Sequence, residues 1–599
     1  MYTTASVFFK TLADAGITHA FVNWGSDHSA FLEDLHRQRT ESGKTLIEIV
    51  TCPSEYVALS AAQGYAQVTG KPAVVIVHVD VGTQALAGAI HNVDRGQSPV
   101  LIFAGSSPFT AHGELRGSKN EFIMWLQDVP DQPAVVRQYM RYTAQIQSGK
   151  NAAKVIMRAL QIATSQPKGP VYLWARREIT DEDVDDATMD ASVSLSKWPS
   201  VTAGALTPHA VEAITAALTR AEYPLIVTAN PGRNTAAVPL LAELSNALAI
   251  GVISCAASSV AIPYSHPYYL GYFFGGKLPY LPDADVVILL DVDVPWVDVN
   301  DNAPRPGAKV FVIDNDPLKR TFGWSHVDAD MLCTADAETA LGQLLHAVRA
   351  SDTNVHSAKV EARRQSLAAS RAAWRAQLSH AETLLAPDGV KPSVPFLLGA
   401  LRAAVNAQTP SGGRKVLWLN EAASASGLIW NHIGPEEPGS MFMSGGTSLG
   451  YILGGSIGAS IGAKVAGKGT ELVVSITGDG NYLFGSPTSA YWVARKYDTP
   501  FLMIVLNNRG WFFTWQSPKY SMRSVHPDGL GSVASGEKLT VGFGQEDNVD
   551  YAGVAAAAGG AWAKQVARAD ELKGVFEEAV RVVREERKCA VIDCIIESI

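Results

Sequence analysis

The chain has 599 residues, of which 47% are hydrophobic and 18% are charged, so it can bury several cores and falls outside the disordered class. At ~150 residues per domain, this length predicts three or four domains and excludes a small binding module. The 49 Lys and Arg residues against 58 Asp and Glu residues give a net charge of −9 without a basic block, which argues against nucleic-acid or anionic-membrane partners and favours small molecules.

The start of the chain and its cysteines both bear on the compartment. Residues 1–10 contain no basic region followed by a long apolar run, so no secretory signal is predicted. The five cysteines are an odd number without paired short spacing, which predicts neither a disulfide framework nor a zinc site. We therefore expect a cytoplasmic protein in a reducing compartment.

Short apolar runs alternate with helical patterns in three successive blocks, which is typical of doubly wound parallel sheets. The first block is predicted to contain a small-residue helix at 55–67, strands at 74–79 and 100–105, and a helix between them at 83–93. Strands of the second block are predicted at 224–228, 286–290 and 310–313, before a helix at 337–348. Strands of the third block are predicted at 416–420, 471–477, 501–506 and 589–596.

Two segments separate these blocks. Residues 180–208 are rich in Asp, Ser and Thr and predict a linker, and residues 351–379 are charged and Ala-rich and predict an exposed connecting helix. The chain is therefore expected to be an α/β protein with three doubly wound parallel-sheet domains at 1–185, 205–350 and 390–599.

One stretch, 438–463, carries no charge over 26 residues and is about long enough to cross a membrane. However, 14 of its residues are Gly, Ser or Thr, which gives a weak transfer energy into lipid. We expect instead a loop and a helix packed very close to another element, and no membrane partner.

The clearest chemical signal lies in the third block. One predicted strand runs into Gly478-Asp479-Gly480 and, after 26 intervening residues, the next runs into Asn507-Asn508. Ligands of open parallel sheets bind beyond the carboxyl ends of the strands, and Asp and Asn oxygens together with a carbonyl and phosphate oxygens suit octahedral Mg²⁺. Each motif alone is usually a turn or a polar loop, but the combination predicts a diphosphate held through a metal.

In this combination the sequence resembles the thiamine diphosphate (ThDP) enzymes, whose hallmark is Gly-Asp-Gly, a spacer of about this length, and Asn-Asn. The resemblance covers nearly the whole chain as pyrimidine-binding, central and diphosphate-binding domains, and several segments look most like benzoylformate decarboxylase and acetolactate synthase. It implies that Mg²⁺ is bound by the side chains of Asp479 and Asn508 and by the carbonyl of Gly510, whereas Asn507 has a structural role.

The same resemblance implies the cofactor-binding residues. Leu449 matches the bulky residue that props the cofactor in a bent shape, and Leu419-Asn420-Glu421 with Ser424 resembles the strand end that holds the diphosphate. The aromatic residues that follow the metal motif, Trp511, Phe512, Phe513 and Trp515, are expected either to form apolar pocket walls or to be ordinary core. The implied cofactor-binding set is Glu55, Asn420, Glu421, Ser424, Thr447, Leu449, Gly478, Gly480 and Asn481.

The first block supplies the implied catalytic residues. Glu55, followed by Ala61-Ala62-Gln63-Gly64-Tyr65-Ala66, looks like the family's activating glutamate, which holds a proton at the pyrimidine nitrogen N1′. His78, which stands 23 residues after Glu55, resembles an active-site histidine of benzoylformate decarboxylase. Gln127 lies in a segment similar to one of acetolactate synthases, and His28 lies in a loop that often contacts substrate. Without the resemblance, a helix-cap charge and a structural histidine would be the commoner interpretations.

Three departures from the family are visible. Val79-Asp80-Val81-Gly82 stands where Gly-Pro-Gly is common, and Thr228-Ala229-Asn230-Pro231-Gly232-Arg233 has few glycines for a dinucleotide turn, so FAD is not expected. No counterpart of the second histidine of benzoylformate decarboxylase is evident.

The resemblance implies an enzyme that uses ThDP and Mg²⁺ to decarboxylate a 2-oxo acid and to join the activated aldehyde to an acceptor carbonyl, as acetolactate synthases do. The alternatives are a simple decarboxylase that releases aldehyde, a non-catalytic scaffold that kept the fold, an enzyme acting on a thioester, and a redox enzyme with FAD. A homodimer or homotetramer with active sites between subunits is implied. The sequence leaves open the natural 2-oxo acid, the acceptor, the stereochemistry and regulation.

Overall fold

The computed structural model describes residues 2–191, 193, 195–298, 302–319, 327–350, 358–521, 535–544 and 549–599. Three six-stranded sheets, each with all strands parallel, follow one another along the chain. Successive residues of one strand enter different cores: Val74 and Ile76 pack on one face of the first sheet, and Val75 and Val77 pack on the other. Because both faces are covered, the predicted α/β class with three doubly wound parallel sheets is confirmed.

The N-terminal sheet has the spatial order β2-β1-β3-β4-β6-β5. Its strands are β1 (His19–Val22), β2 (Glu48–Thr51), β3 (Ala73–Val77), β4 (Val100–Ser106), β5 (Tyr142–Gln145) and β6 (Val171–Arg176). Its helices of eight or more residues are α1 (Thr4–Asp14), α2 (Ser29–Ser42), α3 (Glu55–Thr69), α4 (Ala87–Arg95) and α5 (Gly149–Thr164). A small antiparallel ribbon pairs Tyr2–Thr3 with Asp183–Val184.

The central sheet has the order β9-β8-β7-β10-β11-β12. Its strands are β7 (Pro224–Thr228), β8 (Gly251–Cys255), β9 (Tyr269–Phe273), β10 (Val286–Leu290), β11 (Lys309–Asp314) and β12 (Met331–Thr334). Its helices are α6 (Pro208–Arg220), α7 (Ala237–Leu248) and α8 (Ala337–Ala350). The connecting helix α9 (Ala358–Ala381) follows, while residues 351–357 of the predicted connecting helix lie outside the described residues.

Helix α9 is anchored more firmly than the predicted exposed helix would be. The buried guanidinium of Arg363 donates hydrogen bonds to the carbonyls of Leu248 (3.0 Å) and Leu218 (3.1 Å), which end α7 and lie in the last turn of α6. A cation at these helix ends satisfies carbonyls that have no intrahelical donor. One side of the connecting helix is therefore part of the central domain.

The C-terminal sheet has the order β14-β13-β15-β16-β18-β17, which repeats the order of the N-terminal sheet. Its strands are β13 (Val416–Glu421), β14 (Met441–Phe442), β15 (Leu472–Gly478), β16 (Leu502–Asn507), β17 (Trp562–Val566) and β18 (Ala590–Ile595). Its helices are α10 (Val394–Gln408), α11 (Ser426–Ile433), α12 (Tyr451–Ala466), α13 (Pro487–Lys496), α14 (Phe512–Ser521), α15 (Tyr551–Gly559) and α16 (Leu572–Arg581).

Helices α3 and α12 join the N-terminal and C-terminal domains by a very close crossing. A Cβ atom added to Gly458 would lie 1.8 Å from the carbonyl oxygen of Ala61, and one added to Gly64 would lie 2.3 Å from that of Gly455. Only small residues allow two backbones to come so near. The uncharged stretch at 438–463 is thus a loop and a helix in close packing, and among the described residues no helix is long and apolar enough to cross a membrane.

The close crossing predicts that Gly458→Val destabilises the protein. The added side chain would collide with the backbone of α3, and such overpacking costs about 3 kcal/mol or more when backbone must move. We expect a lower midpoint for the first transition in thermal unfolding. The control is Gly342→Ala in α8, where an added Cβ has no neighbour within 4 Å and the change should be neutral or slightly stabilising. Equal midpoints for the two variants would contradict the steric argument.

Candidate active site

A cavity of about 940 Å³ opens at the carboxyl edge of the C-terminal sheet. Strand β15 ends at Gly478 and β16 ends at Asn507, so the loops after these adjacent strands form part of its wall. Eleven residues from the sequence analysis line this one cavity: Asn420, Glu421, Ser424, Thr447, Leu449, Gly478, Asp479, Gly480, Asn481, Asn508 and Gly510. The parallel sheet gathers them because the carboxyl ends of its strands meet at one edge.

Asp479 is buried at the centre of this edge. Its two carboxylate oxygens accept hydrogen bonds from the backbone N–H groups of Gly480 (2.8 Å) and Gly510 (3.1 Å). Burial raises the pKa of Asp479 to about 7, although the backbone donors favour the carboxylate. A cation beside this side chain would restore its ordinary ionisation, which is what a metal ligand requires.

Asn508 and Asn507 have different surroundings. The side-chain oxygen of Asn508 accepts from Gly510 N–H (3.2 Å) at the cavity wall. The amide of Asn507 is fully buried and donates to Asp593 (2.9 Å) on the neighbouring strand β18, while its oxygen accepts from Arg509 N–H (3.1 Å). Asn507 thus shapes the turn, and Asn508 presents its oxygen beside Asp479.

Glu421 caps the N-terminal end of α12. Its carboxylate oxygens accept hydrogen bonds from the backbone N–H groups of Tyr451 and Ile452 (2.9 Å each), the first two residues of α12. Burial raises the pKa of Glu421 to about 8, against the opposing effect of these donors. Its carbonyl accepts from the Asn481 side chain (2.5 Å), so Glu421 ties α12 to the short helix Asp479–Phe484 that follows β15.

The loop before α12 sets the position of Leu449. Gly450 has a φ of +91°, and a Cβ there would lie 2.7 Å from Gly485, so glycine is required at this turn. The hydroxyl of Tyr56 in α3 donates a short hydrogen bond to the carbonyl of Leu449. Thr447 contacts His91 of α4 through its hydroxyl (3.1 Å), so this loop is fixed by the N-terminal domain.

The outer walls of the cavity are apolar. Trp511, Phe512, Phe513 and Trp515 line it, as one of the two sequence interpretations expects. Other walls come from Phe274 of the central domain, from residues 385–387 and 392–395 before and within α10, and from 596–599. Sequence reasoning missed these segments because no motif marks them and they come from distant parts of the chain.

A second polar cluster lies in the N-terminal domain. Glu55 begins α3 and accepts a hydrogen bond from the Asn23 side chain (2.9 Å) at the end of β1. His78 follows β3, and its Nε2 lies 3.2 Å from the amide nitrogen of Gln127. An added Cβ on Gly82 would touch both His78 and Glu55, at 3.1 and 3.3 Å, so the structure brings Glu55, His78 and Gln127 together.

Asp27 completes this cluster and was missed by the sequence analysis. Its Oδ1 lies 2.5 Å from Nδ1 of His78, and its Oδ2 accepts from Val79 N–H (3.1 Å). Burial opposes ionisation of Asp27, but His28 and the hydrogen bond to His78 hold its pKa below the ordinary value. The available signal was its place in the loop after β1, beside the loop that carries His78.

His28 lies beneath the cluster. Its ring is fully buried and packs edge-on against Trp24 and Phe31, and Gly25 N–H donates to its Nδ1 (3.0 Å). Burial lowers the pKa of His28, although the nearby Asp27 carboxylate opposes this. In this position His28 supports the loop and Asp27 from the core, and the substrate contact predicted for it is not what the packing offers.

The residues around the cavity fit ThDP and Mg²⁺. A buried carboxylate, an amide oxygen and a backbone carbonyl at Asp479, Asn508 and Gly510 are the hard oxygen donors that Mg²⁺ prefers. Gly478 leaves room beside Asp479, whereas the space at Gly480 is filled by the ring of Trp511. Ser424 and Asn481 provide polar groups for a diphosphate. These are properties of the described residues themselves and agree with the resemblance found in the sequence.

The carboxyl edge of the central sheet has a different chemistry. Lys319 is buried there against Asp314 (2.6 Å) and Asp293 (3.0 Å). A Cβ on Gly232 would lie 2.0 Å from the carbonyl of Val260, so the turn after β7 is already filled by protein backbone. The backbone of Val260 thus occupies the space that a dinucleotide phosphate would need beside this turn, which fits poorly with FAD.

The capping role of Glu421 predicts that Glu421→Ala loosens the start of α12. Loss of an N-terminal capping group costs about 1–2 kcal/mol, and the two N–H groups would remain buried without an acceptor. We expect a lower unfolding midpoint and faster hydrogen exchange at Tyr451 and Ile452. Glu437→Ala, at a position outside this cavity wall, is the control, and unchanged exchange in Glu421→Ala would contradict the capping role.

Family models match all three domains of the chain. The N-terminal TPP binding domain of thiamine pyrophosphate enzymes matches residues 2–135, the central domain matches 211–344, and the C-terminal TPP binding domain matches 422–594. In fold, a benzoylformate decarboxylase from Polynucleobacter necessarius superposes with a TM-score of 0.76 at 18% identity, covering 100% of this chain and 99% of that one.

Curated relatives agree with these matches. Benzoylformate decarboxylase of Pseudomonas aeruginosa is 24% identical over 526 residues, which cover 85% of this chain and 86% of that protein. A probable acetolactate synthase large subunit of Methanocaldococcus jannaschii is 24% identical over 591 residues, which cover 96% of this chain and 89% of that protein. The chain therefore belongs to the thiamine pyrophosphate enzymes.

Proposed function

We propose that the chain decarboxylates a 2-oxo acid with ThDP and Mg²⁺ and joins the resulting acyl unit to an acceptor carbonyl. The observation that carries this proposal is the single cavity that gathers Asp479, Asn508, Gly510 and Leu449 at one sheet edge. When bound, ThDP supplies an electron sink that accepts a 2-oxo acid and stabilises the charge left by loss of CO₂.

The protein groups have separate tasks in this proposal. Asp479, Asn508 and the carbonyl of Gly510 hold Mg²⁺, and Leu449 supports the bend of the cofactor. Glu55 holds a proton at the pyrimidine nitrogen N1′, and His78 exchanges a proton with the substrate. The apolar walls exclude water, which strengthens the electrostatic interactions inside the site.

We further propose that a second copy of the chain completes each site. The cavity is lined by the central domain, the linker and the C-terminal domain, whereas Glu55 and His78 lie in the N-terminal cluster. Beside Gln127, the side chains of Phe122, Trp125 and Leu126 are 75%, 52% and 73% exposed. An exposed apolar group of this kind is typical of a protein interface. The alternative is a site within one chain. It is supported by the hydrogen bond from Tyr56 of the N-terminal domain to the carbonyl of Leu449 at the cavity wall of the same chain.

The choice of electrophile separates the two candidate products. A cavity of about 940 Å³ is at the upper end for small-molecule sites, which supports room for an acceptor carbonyl beside the cofactor. A proton delivered by His78 would instead release a free aldehyde. The raised pKa of His78 favours that second candidate, since burial lowers it but Asp27 raises it above the ordinary value.

A panel of 2-oxo acids tests the reaction. With ThDP and Mg²⁺ we expect CO₂ release, and mass analysis of the products should show a hydroxyketone or a 2-hydroxy-3-oxo acid for carboligation and an aldehyde for simple decarboxylation. Glu55→Gln should keep cofactor binding but lose at least ~100-fold in rate, because proton transfer contributes about that much. The exposed Glu48→Gln in β2 is the control and should keep full activity.

Different outcomes would count against this proposal in different ways. Full turnover by Glu55→Gln would remove the activating role of that carboxylate. Cofactor binding without turnover of any 2-oxo acid would support the non-catalytic scaffold, and a yellow purified protein would support the alternative with FAD.

Mixed assemblies test whether two copies share a site. Glu55→Gln and Asp479→Ala chains should each be nearly inactive alone. If each site takes Glu55 from one copy and Asp479 from the other, a mixed dimer contains one intact site, so mixing after mild dissociation should restore activity. The control is each variant mixed with itself. No recovery in a mixture shown by mass spectrometry to contain mixed dimers would favour a site within one chain.

A further inference from the structure

Asp27 and His78 form a close pair in which the carboxylate is buried and the ring is partly exposed. The distance of 2.5 Å joins Oδ1 of Asp27 to Nδ1 of His78, and the second oxygen of Asp27 is held by Val79 N–H at 3.1 Å. Asp27 is 3% exposed, so its charge depends on these partners. Since Val79 follows His78 directly, the carboxylate fixes both the ring and the backbone beside it.

Two glycines make room for this pair. A Cβ atom at Gly25 would lie 1.9 Å from Nδ1 of His78, and one at Gly105 would lie 1.7 Å from Oδ2 of Asp27. Neither glycine has a positive φ, so the backbone would accept another residue and only the pair itself excludes a side chain. Glycine in the loop at 25 and in strand β4 at 105 thus leaves the space that the Asp27–His78 contact occupies.

We propose that Asp27 is the positioning residue of the proton-transfer group: it keeps the proton on Nδ1 of His78, so that Nε2 is the nitrogen that exchanges a proton with the substrate. The inference rests on the proposed function for the identity of that reaction. In the step, a proton passes between the substrate and Nε2, while the Nδ1 proton stays between His78 and Asp27. The carboxylate remains ionised and balances the charge of the imidazolium.

The groups that face His78 can stabilise both the neutral and the protonated form of its ring. Asp27 lies at Nδ1, Glu55 adds a second negative charge from α3, and His28 lies behind Asp27. Gln127 faces Nε2 with its amide nitrogen at 3.2 Å, as suits a neutral ring, and its oxygen is buried without a hydrogen-bond partner. Rotation of this amide would turn the oxygen toward Nε2–H of the charged ring, so Gln127 can serve either state.

The substitution Asp27→Asn tests this role because Val79 N–H still needs an acceptor. The side-chain oxygen of the new residue should therefore face Val79, and its NH₂ group should face Nδ1 of His78. Nδ1 then becomes an acceptor and the ring proton moves to Nε2. The volume of the side chain is almost unchanged, so the substitution reverses the tautomer without opening a cavity.

The experiment is NMR of cofactor-free protein labelled with ¹⁵N-histidine, with His78→Gln used to identify the ring among the 14 histidines. In the unsubstituted protein we expect the neutral ring of His78 to carry its proton on Nδ1. In Asp27→Asn we expect the proton on Nε2 and a pKa lower by about one unit or more, because the opposite charge is gone. With cofactor, kcat/KM should fall at least ~100-fold and its pH profile should shift in the same direction.

Asp34→Asn is the matched control. Asp34 is also 3% exposed in the N-terminal domain, and its carboxylate is held by Ser6 (2.5 Å), Gln38 (2.6 Å) and Arg37 (2.8 Å). It should lower the unfolding midpoint but leave the tautomer and the pH profile of His78 unchanged. An Nε2 proton on neutral His78 in the unsubstituted protein would overturn the inference even if Asp27→Asn did not fold. Because this spectrum needs no turnover, failure of the proposed function would be seen separately.

Discussion

The crossing of α3 and α12 is the contact on which the rest of the architecture depends. These two helices carry the chain's two functional regions at their N-terminal ends: Glu55 begins α3, and the Leu449 turn leads into α12. Their backbones meet through Gly64, Gly455 and Gly458, so the separation of the two domains is set by contact between main chains. A fixed separation places the loop before α12 against α4 and holds one wall of the cavity in position.

The two functional regions solve the same physical problem in different ways. Both bury a carboxylate, and both must compensate it without bulk water. Among the residues that the structure describes, Asp479 accepts hydrogen bonds from backbone donors alone, which suits a group that receives a metal ion. Asp27 is compensated by a histidine and a backbone donor, which suits a group that stays charged while its partner gains and loses a proton. Glu421 is also held by two backbone donors, but these are the first two N–H groups of α12, so its carboxylate caps a helix.

The sequence predicted the fold class and most of the cavity because long apolar strands end in polar motifs, as β15 and β16 do. It predicted bounds for nine of the eighteen strands of the three sheets. Among those missed, β1, β2 and β5 have four residues each and contain polar residues such as His19 and Glu48, so they show no clear pattern. The capping role of Glu421 was not predicted because the helix that it caps begins 30 residues later in the chain. The cavity walls at Phe274 and 596–599 were not predicted because they depend on how the domains pack against each other. Asp27 could have been found from its strand-end position, but no motif distinguished it from its neighbour His28.

The repeated strand order of the outer domains has one more consequence. Helix α3 precedes the third strand of its sheet, and α12 precedes the third strand of the other, so equivalent elements meet. Added Cβ atoms on Gly454, Gly458 and Gly462 would approach Val57, Ala61 and Tyr65 in turn, so the helices run in the same direction. The N-terminal and C-terminal domains are therefore related by a pseudo-twofold axis, in the way that the two subunits of an isologous dimer are related by a twofold axis. The contacts along this axis are already mainly between glycines and backbone atoms. A larger residue on one helix therefore cannot be accommodated by a smaller residue at the facing position of the other helix.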